Sequence, residues 1–161
     1  MNRNVRRRFI SAGLAVALTL FGLALPKTTH AAVVVNDKVP VLIGVFIPCV
    51  PEFVLLSGDL HVLITSEVDE NGGIHFKSHF QPQGISGVGS VTGDKYQGTG
   101  VTQSHTNDHD GLAFETTFVN NFRIIGQGSG NNLLVHTTFH VTVNANGVVT
   151  ANVLNSSVEC M

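Results

Sequence analysis

From residue 32 to the end of the chain, apolar and polar side chains alternate with a period of two. No window in this region shows the 3.6-residue apolar repeat of an amphipathic helix. The region is also rich in Val, Thr, Ile and Phe, which favour β-strands. The pattern therefore predicts an all-β domain over residues 32–161.

The turn signals fix the register of a first hairpin. A three-residue loop, Glu70-Asn71-Gly72 with the glycine in the left-handed conformation, pairs Val68 with Ile74 and Ser66 with Phe76. This register places the phenylalanines on one face. A two-residue Asn-Gly loop would mix the faces, because a shift of one residue moves every side chain to the other side.

Further hairpins follow from similar signals. Ala145-Asn146-Gly147 predicts the same three-residue loop between strands that end at Val143 and begin at Val149. Gly93-Asp94 predicts a type II′ turn between Ser86–Thr92 and Lys95–Thr102, two strands whose glycines indicate bends or close contacts.

Two more apolar segments, Val39–Ile47 and Leu112–Ile125, bring the total to about eight successive antiparallel strands. Such a series predicts an up-and-down β-barrel, and a two-sheet β-sandwich is the alternative. Cys49 and Cys160 lie near the two ends of this domain and are predicted to form a disulfide. The bridge would place the first and last strands side by side, and closing so long a loop contributes roughly 4–5 kcal/mol.

Residues 1–31 have the organisation of a cleaved export signal peptide. Arg6-Arg7-Arg8 precedes the apolar stretch Phe9–Leu25, which predicts a signal helix, and small residues lead to a cleavage site after Ala31. The arginines and the following Phe9-Ile10 also fit the twin-arginine export motif, although a plain basic region explains them equally. We therefore expect a secreted or periplasmic bacterial protein with no stable membrane anchor after cleavage.

Charge excludes one class of partner. Removal of residues 1–31 leaves four basic residues against eleven acidic ones, hence a formal charge of −7 with neutral histidines. A surface of this sign repels phosphate, so we expect no nucleic-acid binding.

Histidines on the polar faces of the strands are candidate metal ligands, although ordinary solvated side chains explain them too. Histidines four residues apart on one strand are roughly 13 Å apart, so a site needs neighbouring strands, and His61 and His79 are the best such pair. The loop after Ser104 offers a second weak metal site, with His105, Asp108, His109 and Asp110 as ligands. Its spacing resembles a calcium loop, but Thr106 occupies the first position.

The phenylalanines are candidates for the lining of a ligand pocket. The residues considered are Phe76, Phe80, Phe114, Phe118 and Phe139, with His136 and His140 as polar neighbours. A secreted barrel of this type predicts binding of a small, partly apolar ligand. No cofactor is indicated.

Two other function classes remain open. Glu115, Arg123 and the histidines could serve acid–base chemistry in an isomerase- or cyclase-like barrel, but nothing places a nucleophile beside a base, so catalytic residues stay unassigned. A surface or matrix interaction protein without a ligand is the other alternative. A closed interior cavity above roughly 300 Å³ would favour ligand binding or catalysis over the interaction protein. A His or Glu that points into this cavity would favour catalysis, whereas a filled core with a flat apolar exterior patch would favour the interaction protein.

The last third of the chain resembles uncharacterised small secreted bacterial β-rich proteins. The residues that carry this resemblance are the segments Phe122–Ile125, Gly130–Asn132, His136–Thr142 and Asn146-Gly147. The resemblance implies a secreted β protein and supplies no activity. Likeness to lipocalins is confined to the inferred architecture, because the chain contains no tryptophan for their Gly-x-Trp motif.

Overall fold

The computed structural model describes residues 31–109 and 112–161. This part of the chain forms seven β-strands, numbered in chain order: β1 (Ala32–Ile47), β2 (Glu52–Val68), β3 (Ile74–Val88), β4 (Lys95–His109), β5 (Ala113–Gly126), β6 (Leu133–Val143) and β7 (Val149–Cys160). Each strand pairs antiparallel with the next, in a single sheet whose strand order is the chain order. The all-β prediction is confirmed, whereas the predicted signal helix lies outside the described residues.

The two registered hairpins are confirmed. Val68 pairs with Ile74 and Ser66 pairs with Phe76. Val143 pairs with Val149 across the other loop. Gly72 and Gly147 have φ angles of +88° and +73°, the left-handed conformation that both turns require.

The sheet has seven strands rather than about eight, because Ile74–Val88 is one strand and not two. The alternation and turn signals predicted two strands here, one ending at Phe80 and the next beginning at Ser86. The structure shows a register shift there, and Gly84 takes a φ angle of +65°. A bulge bends a strand without ending it, so the chain continues in the same direction.

The predicted turn at Gly93-Asp94 is also corrected. β3 ends at Val88 instead of Thr92, and residues 89–94 form a longer connection to β4. Ser90 N donates a hydrogen bond of 2.9 Å to Phe53 O, which folds this connection back over β2.

The alternation gives the sheet an inner face, which carries the core, and an outer face, which carries most of the histidines. The core side chains are at most 2% exposed and come from β1 to β6: Ile47, Val54, Leu56, Ile85, Tyr96, Ile124 and Leu133. All lie near the β1–β2, β3–β4 and β5–β6 connections, at what we call the enclosed end. Because side chains of β1 and β6 share one cluster, the sheet must roll up at this end.

The predicted disulfide between Cys49 and Cys160 is present, with Cα atoms 5.5 Å apart. Cys49 lies in the β1–β2 connection, so the bridge holds the end of β7 against this connection rather than against β1 along its length. β1 and β7 remain the two edges of one sheet. A closed barrel is therefore not shown, and a single rolled sheet replaces the two sheets of the sandwich alternative.

Candidate ligand-binding cavity

The inner face forms a cavity of about 410 Å³ beside the core. Its walls include Ile43 and Val45 of β1, Leu60 of β2 and, across the rolled sheet, Phe80, Phe122 and Val135. Sites for small molecules are usually concave, mostly apolar and at least roughly 300 Å³ in volume. The volume and the lining fit this description.

Glycines on β4 help to create this space. A Cβ atom at Gly98 would lie 2.9 Å from Ile85 Cγ2 and 3.2 Å from Phe122 Cζ. The missing side chain lets these two residues approach each other across β4. Gly100 lines the cavity directly, so the inner face of β4 contributes little volume where its neighbours contribute large side chains.

The cavity wall carries no ionisable side chain among the described residues. Thr102 and Asn120 are its polar lining residues, and they are cross-strand neighbours on β4 and β5. Thr102 Oγ1 donates a hydrogen bond of 2.7 Å to Asn120 Oδ1. The arrangement suits binding of an apolar molecule and offers no group for proton transfer.

The predicted pocket residues are divided between the two faces. Phe80 lines the cavity, whereas Phe76, Phe114, Phe118 and Phe139 share its face but lie farther from the core, at the open end of the sheet. His136 and His140 do not lie on this face. His140 Nδ1 lies 2.9 Å from Thr117 Oγ1 and His136 Nδ1 bonds Asn121 Oδ1, both on the outer face.

The predicted metal ligands also lie apart. His61 Nε2 bonds Asn36 Oδ1 at 2.8 Å and His79 Nδ1 bonds Gln103 Nε2 at 3.2 Å, so each histidine contacts a different neighbouring strand. Asp110 is outside the described residues. Within the described ranges, no three His, Cys, Asp or Glu side chains are placed to hold a metal ion, and this includes His105, Asp108 and His109.

The outer face has a hollow of its own, of about 460 Å³, lined in part by Lys77, His79 and His105. Its lining side chains are half-buried or exposed, and it lies on the side of the sheet away from the core. It is larger than the inner cavity, but eight of its ten lining residues are polar or charged, whereas the inner cavity is lined mainly by apolar residues. We therefore regard the inner cavity as the better candidate site.

A histidine at the open end is held by two acceptors. His75 Nδ1 lies 2.7 Å from Asn107 Oδ1, and His75 Nε2 lies 3.1 Å from Asp69 Oδ2. The hydrogen bonds to Asn107 and Asp69 raise the pKa of His75. The pKa of Asp69 is lowered, chiefly by the backbone N–H groups of Gly73 and Asn71.

Sequence reasoning missed the buried polar cluster that supports the enclosed end. Glu52 is 2% exposed and accepts hydrogen bonds from the N–H groups of Val91 and Thr92, at 3.0 and 3.1 Å. The hydroxyls of Thr92 and Tyr96 also donate to it, at 2.9 and 2.6 Å. The signal was present in the chain, because Glu52 alternates in phase with the core residue Val54.

The described residues contain no apolar helix of membrane-spanning length. Comparison with protein-family models, curated protein sequences and solved structures finds no match for this chain.

Proposed function

We propose that this is an exported bacterial protein that binds a small, largely apolar ligand in the inner cavity. The single observation that carries the proposal is the cavity of about 410 Å³, lined by Phe80, Phe122 and Val135 among others. In this proposal the rolled sheet acts as an up-and-down barrel that is enclosed at one end and open along the edges of β1 and β7.

The disulfide supports the location. Stable disulfides are typical of secreted and periplasmic proteins and are rare in the reducing cytosol. The bond between Cys49 and Cys160 therefore agrees with an export signal at residues 1–31. The bridge also holds the β1 side of the cavity near β6, because Leu133 pairs with Cys160.

The lining favours binding over catalysis. An isomerase or cyclase needs an acid or a base within hydrogen-bond reach of its substrate. The described walls of the cavity provide the hydroxyl of Thr102 and the amide of Asn120, and neither is a proton shuttle near neutral pH. Glu115 is not among the lining residues.

Binding of Nile red, a neutral apolar dye, tests the proposal. An external dye is needed because the chain has no tryptophan and one tyrosine. We expect saturable fluorescence enhancement that Val135→Phe reduces at least about tenfold in affinity, because the larger side chain fills the cavity. Val141→Phe is the matched control, since it adds the same volume to β6 on the same face outside the cavity lining.

A second cavity variant, with a check of folding, distinguishes loss of dye binding from loss of the folded state. Phe80→Ala removes the side chain by which β3 lines the cavity, and we expect it also to lower the affinity for Nile red. Circular dichroism should confirm that each variant is folded. Equal dye binding by wild type, Val135→Phe and Phe80→Ala would contradict the proposed function.

The second candidate is an interaction protein, favoured by an apolar patch on the outer face. Its members are Leu42, Phe46, Phe53, Leu55 and Val88, each between 47% and 69% exposed. The rings of Phe46 and Phe53 are 5.1 Å apart. Exposed apolar patches of this kind mark interaction sites.

The patch lies beside the free edge of β1, which makes a second copy of this chain its expected partner. Sedimentation velocity at increasing protein concentration would show a dimer for wild type and a monomer for Phe53→Ser with Leu55→Ser. A wild-type monomer at all concentrations would exclude this candidate. The same double variant is expected to bind Nile red in the cavity unchanged.

A further inference from the structure

The cavity has one polar side, formed by Thr102 and Asn120. Along β5 the enclosed end is reached through Phe122 and Ile124, so Asn120 lies on the side of the cavity that faces the open end. Both polar side chains are half-buried. A ligand that fills the apolar part would therefore place one end against this pair.

The pair retains donors for a ligand. The hydroxyl proton of Thr102 is used by the 2.7 Å bond to Asn120 Oδ1. Among residues 31–109 and 112–161 no hydrogen bond to Asn120 Nδ2 is found, so this group keeps two N–H donors. The next residues in the same row, Thr137 and Ser156, bond each other at 3.1 Å.

The charge around the cavity limits the ligand further. The basic residues of the described chain are Lys38, Lys77, Lys95 and Arg123, and none of them lines the cavity. A carboxylate or phosphate placed beside Asn120 would lose part of its hydration without gaining an opposite charge, which is unfavourable. A neutral group with an exposed oxygen acceptor carries no such penalty.

We propose that the ligand of this cavity is an amphipathic molecule with an uncharged oxygen acceptor, such as a ketone, ester or amide carbonyl, at one end. Asn120 Nδ2 donates to this oxygen, and the apolar body of the molecule lies between β1 and β4 to β6. This inference rests on the proposed function, and it adds the chemical class of the ligand.

Displacement of Nile red by three molecules of equal chain length tests the inference: a medium-chain methyl ketone, the matching carboxylate at neutral pH and the matching alkane. We expect the ketone to displace the dye at a concentration about tenfold lower than either of the other two. One well-placed hydrogen bond accounts for a factor of this size.

Two variants distinguish the contribution of this hydrogen bond from nonspecific hydrophobic binding. Asn120→Leu keeps the branched shape of the side chain but removes its N–H donors. We expect it to lower the affinity for the ketone about tenfold and to leave the affinity for the alkane unchanged. Thr137→Val, which alters the same polar row outside the cavity lining, is expected to leave the affinities for all three molecules unchanged.

The two proposals fail in different ways. If the dye binds and Val135→Phe weakens it, yet the ketone equals the alkane or Asn120→Leu has no effect, the neutral-acceptor inference is wrong and the cavity remains a binding site. If the carboxylate binds more tightly than the ketone, the charge argument is overturned. If neither the dye nor any of the three molecules binds, both proposals are wrong.

Discussion

The hydroxyl of Tyr96 donates a hydrogen bond of 2.6 Å to Oε1 of Glu52, and both side chains are at most 2% exposed. The bond joins β4 to the first residue of β2 at the enclosed end of the rolled sheet. No Lys or Arg in the described part of the chain contributes to it; four hydrogen-bond donors replace the water that the carboxylate loses on burial. The enclosed end is therefore closed by a polar cluster as well as by packing.

Acid should destabilise the protein through this cluster. The Tyr96 hydroxyl, followed by the N–H groups of Val91 and Thr92, lowers the pKa of Glu52 from its ordinary value of about 4.5 to about 2. A lowered folded-state pKa stabilises the protein above the unfolded pKa, so we expect this contribution to be lost as the pH falls from about 4.5 to about 2.

Glu52→Gln is the direct test of that expectation. Urea unfolding at several pH values should show a lower stability than wild type at pH 7 and a smaller loss between pH 5 and pH 2, the window set by the shifted pKa. Glu70→Gln, a change of the same type at an exposed turn, serves as control. Parallel pH profiles for wild type and Glu52→Gln would refute the role of this carboxylate.

Removal of the disulfide should destabilise the fold strongly. Cys49 and Cys160 are 111 residues apart, and replacement of both by serine is expected to lower the free energy of unfolding by about 4 kcal/mol. Chemical denaturation measures this change. A reducing agent should lower the stability of wild type to that of the double variant and leave the variant itself unaffected; stability that does not respond to reduction would argue against the bridge.

Leu55 and Leu56 provide a matched test of the two faces. Leu56 is fully buried in the core, whereas Leu55 is 58% exposed on the outer face. We expect Leu56→Ala to cost about 2–5 kcal/mol and Leu55→Ala to change stability by less than about 0.5 kcal/mol. Similar costs at the two positions would show that the assignment of faces in β2 is wrong.

His75 should make the open end sensitive to neutral pH. Its pKa is raised by the hydrogen bond to Asn107 and then by that to Asp69. A raised folded-state pKa contributes stability that is complete below the unfolded value of about 6.5 and is lost as the pH rises through the folded pKa.

Comparison of wild type with His75→Gln reveals this contribution. We expect the stability difference between the two to be largest below about pH 6 and to shrink at higher pH. His61→Gln, which changes another outer-face histidine, serves as the matched control. A difference that grows with rising pH would contradict the sign of the argument.

Local sequence signals predicted the hairpins correctly where the turn itself fixes the register. The Asn-Gly loops need a left-handed glycine, and Gly72 and Gly147 adopt that conformation. The strand count was less predictable, because Gly84 can end a strand or bend it. The choice depends on hydrogen bonds with β2 and β4, which are distant in sequence.

The candidate site was predictable only in part. The face of Phe80 follows from alternation, but Ile43 and Phe122, which line the same cavity, lie on other strands that surround it only when the sheet rolls. The phase of Glu52 with Val54 indicated its face, but no local signal gave the partners of Glu52 or the role of Asn120. Their burial and partners are set by residues on other strands.

By itself, the amino-acid sequence determined the extended conformation, the alternation of faces, the registers of the Asn-Gly hairpins and the pairing of Cys49 with Cys160. The tertiary structure alone decided that β3 is continuous, that the sheet rolls at one end and that Thr102 and Asn120 border an apolar cavity. The reason is physical: backbone preferences and side-chain periodicity act over a few residues. The curvature of a sheet, in contrast, is set by packing between strands far apart in the chain.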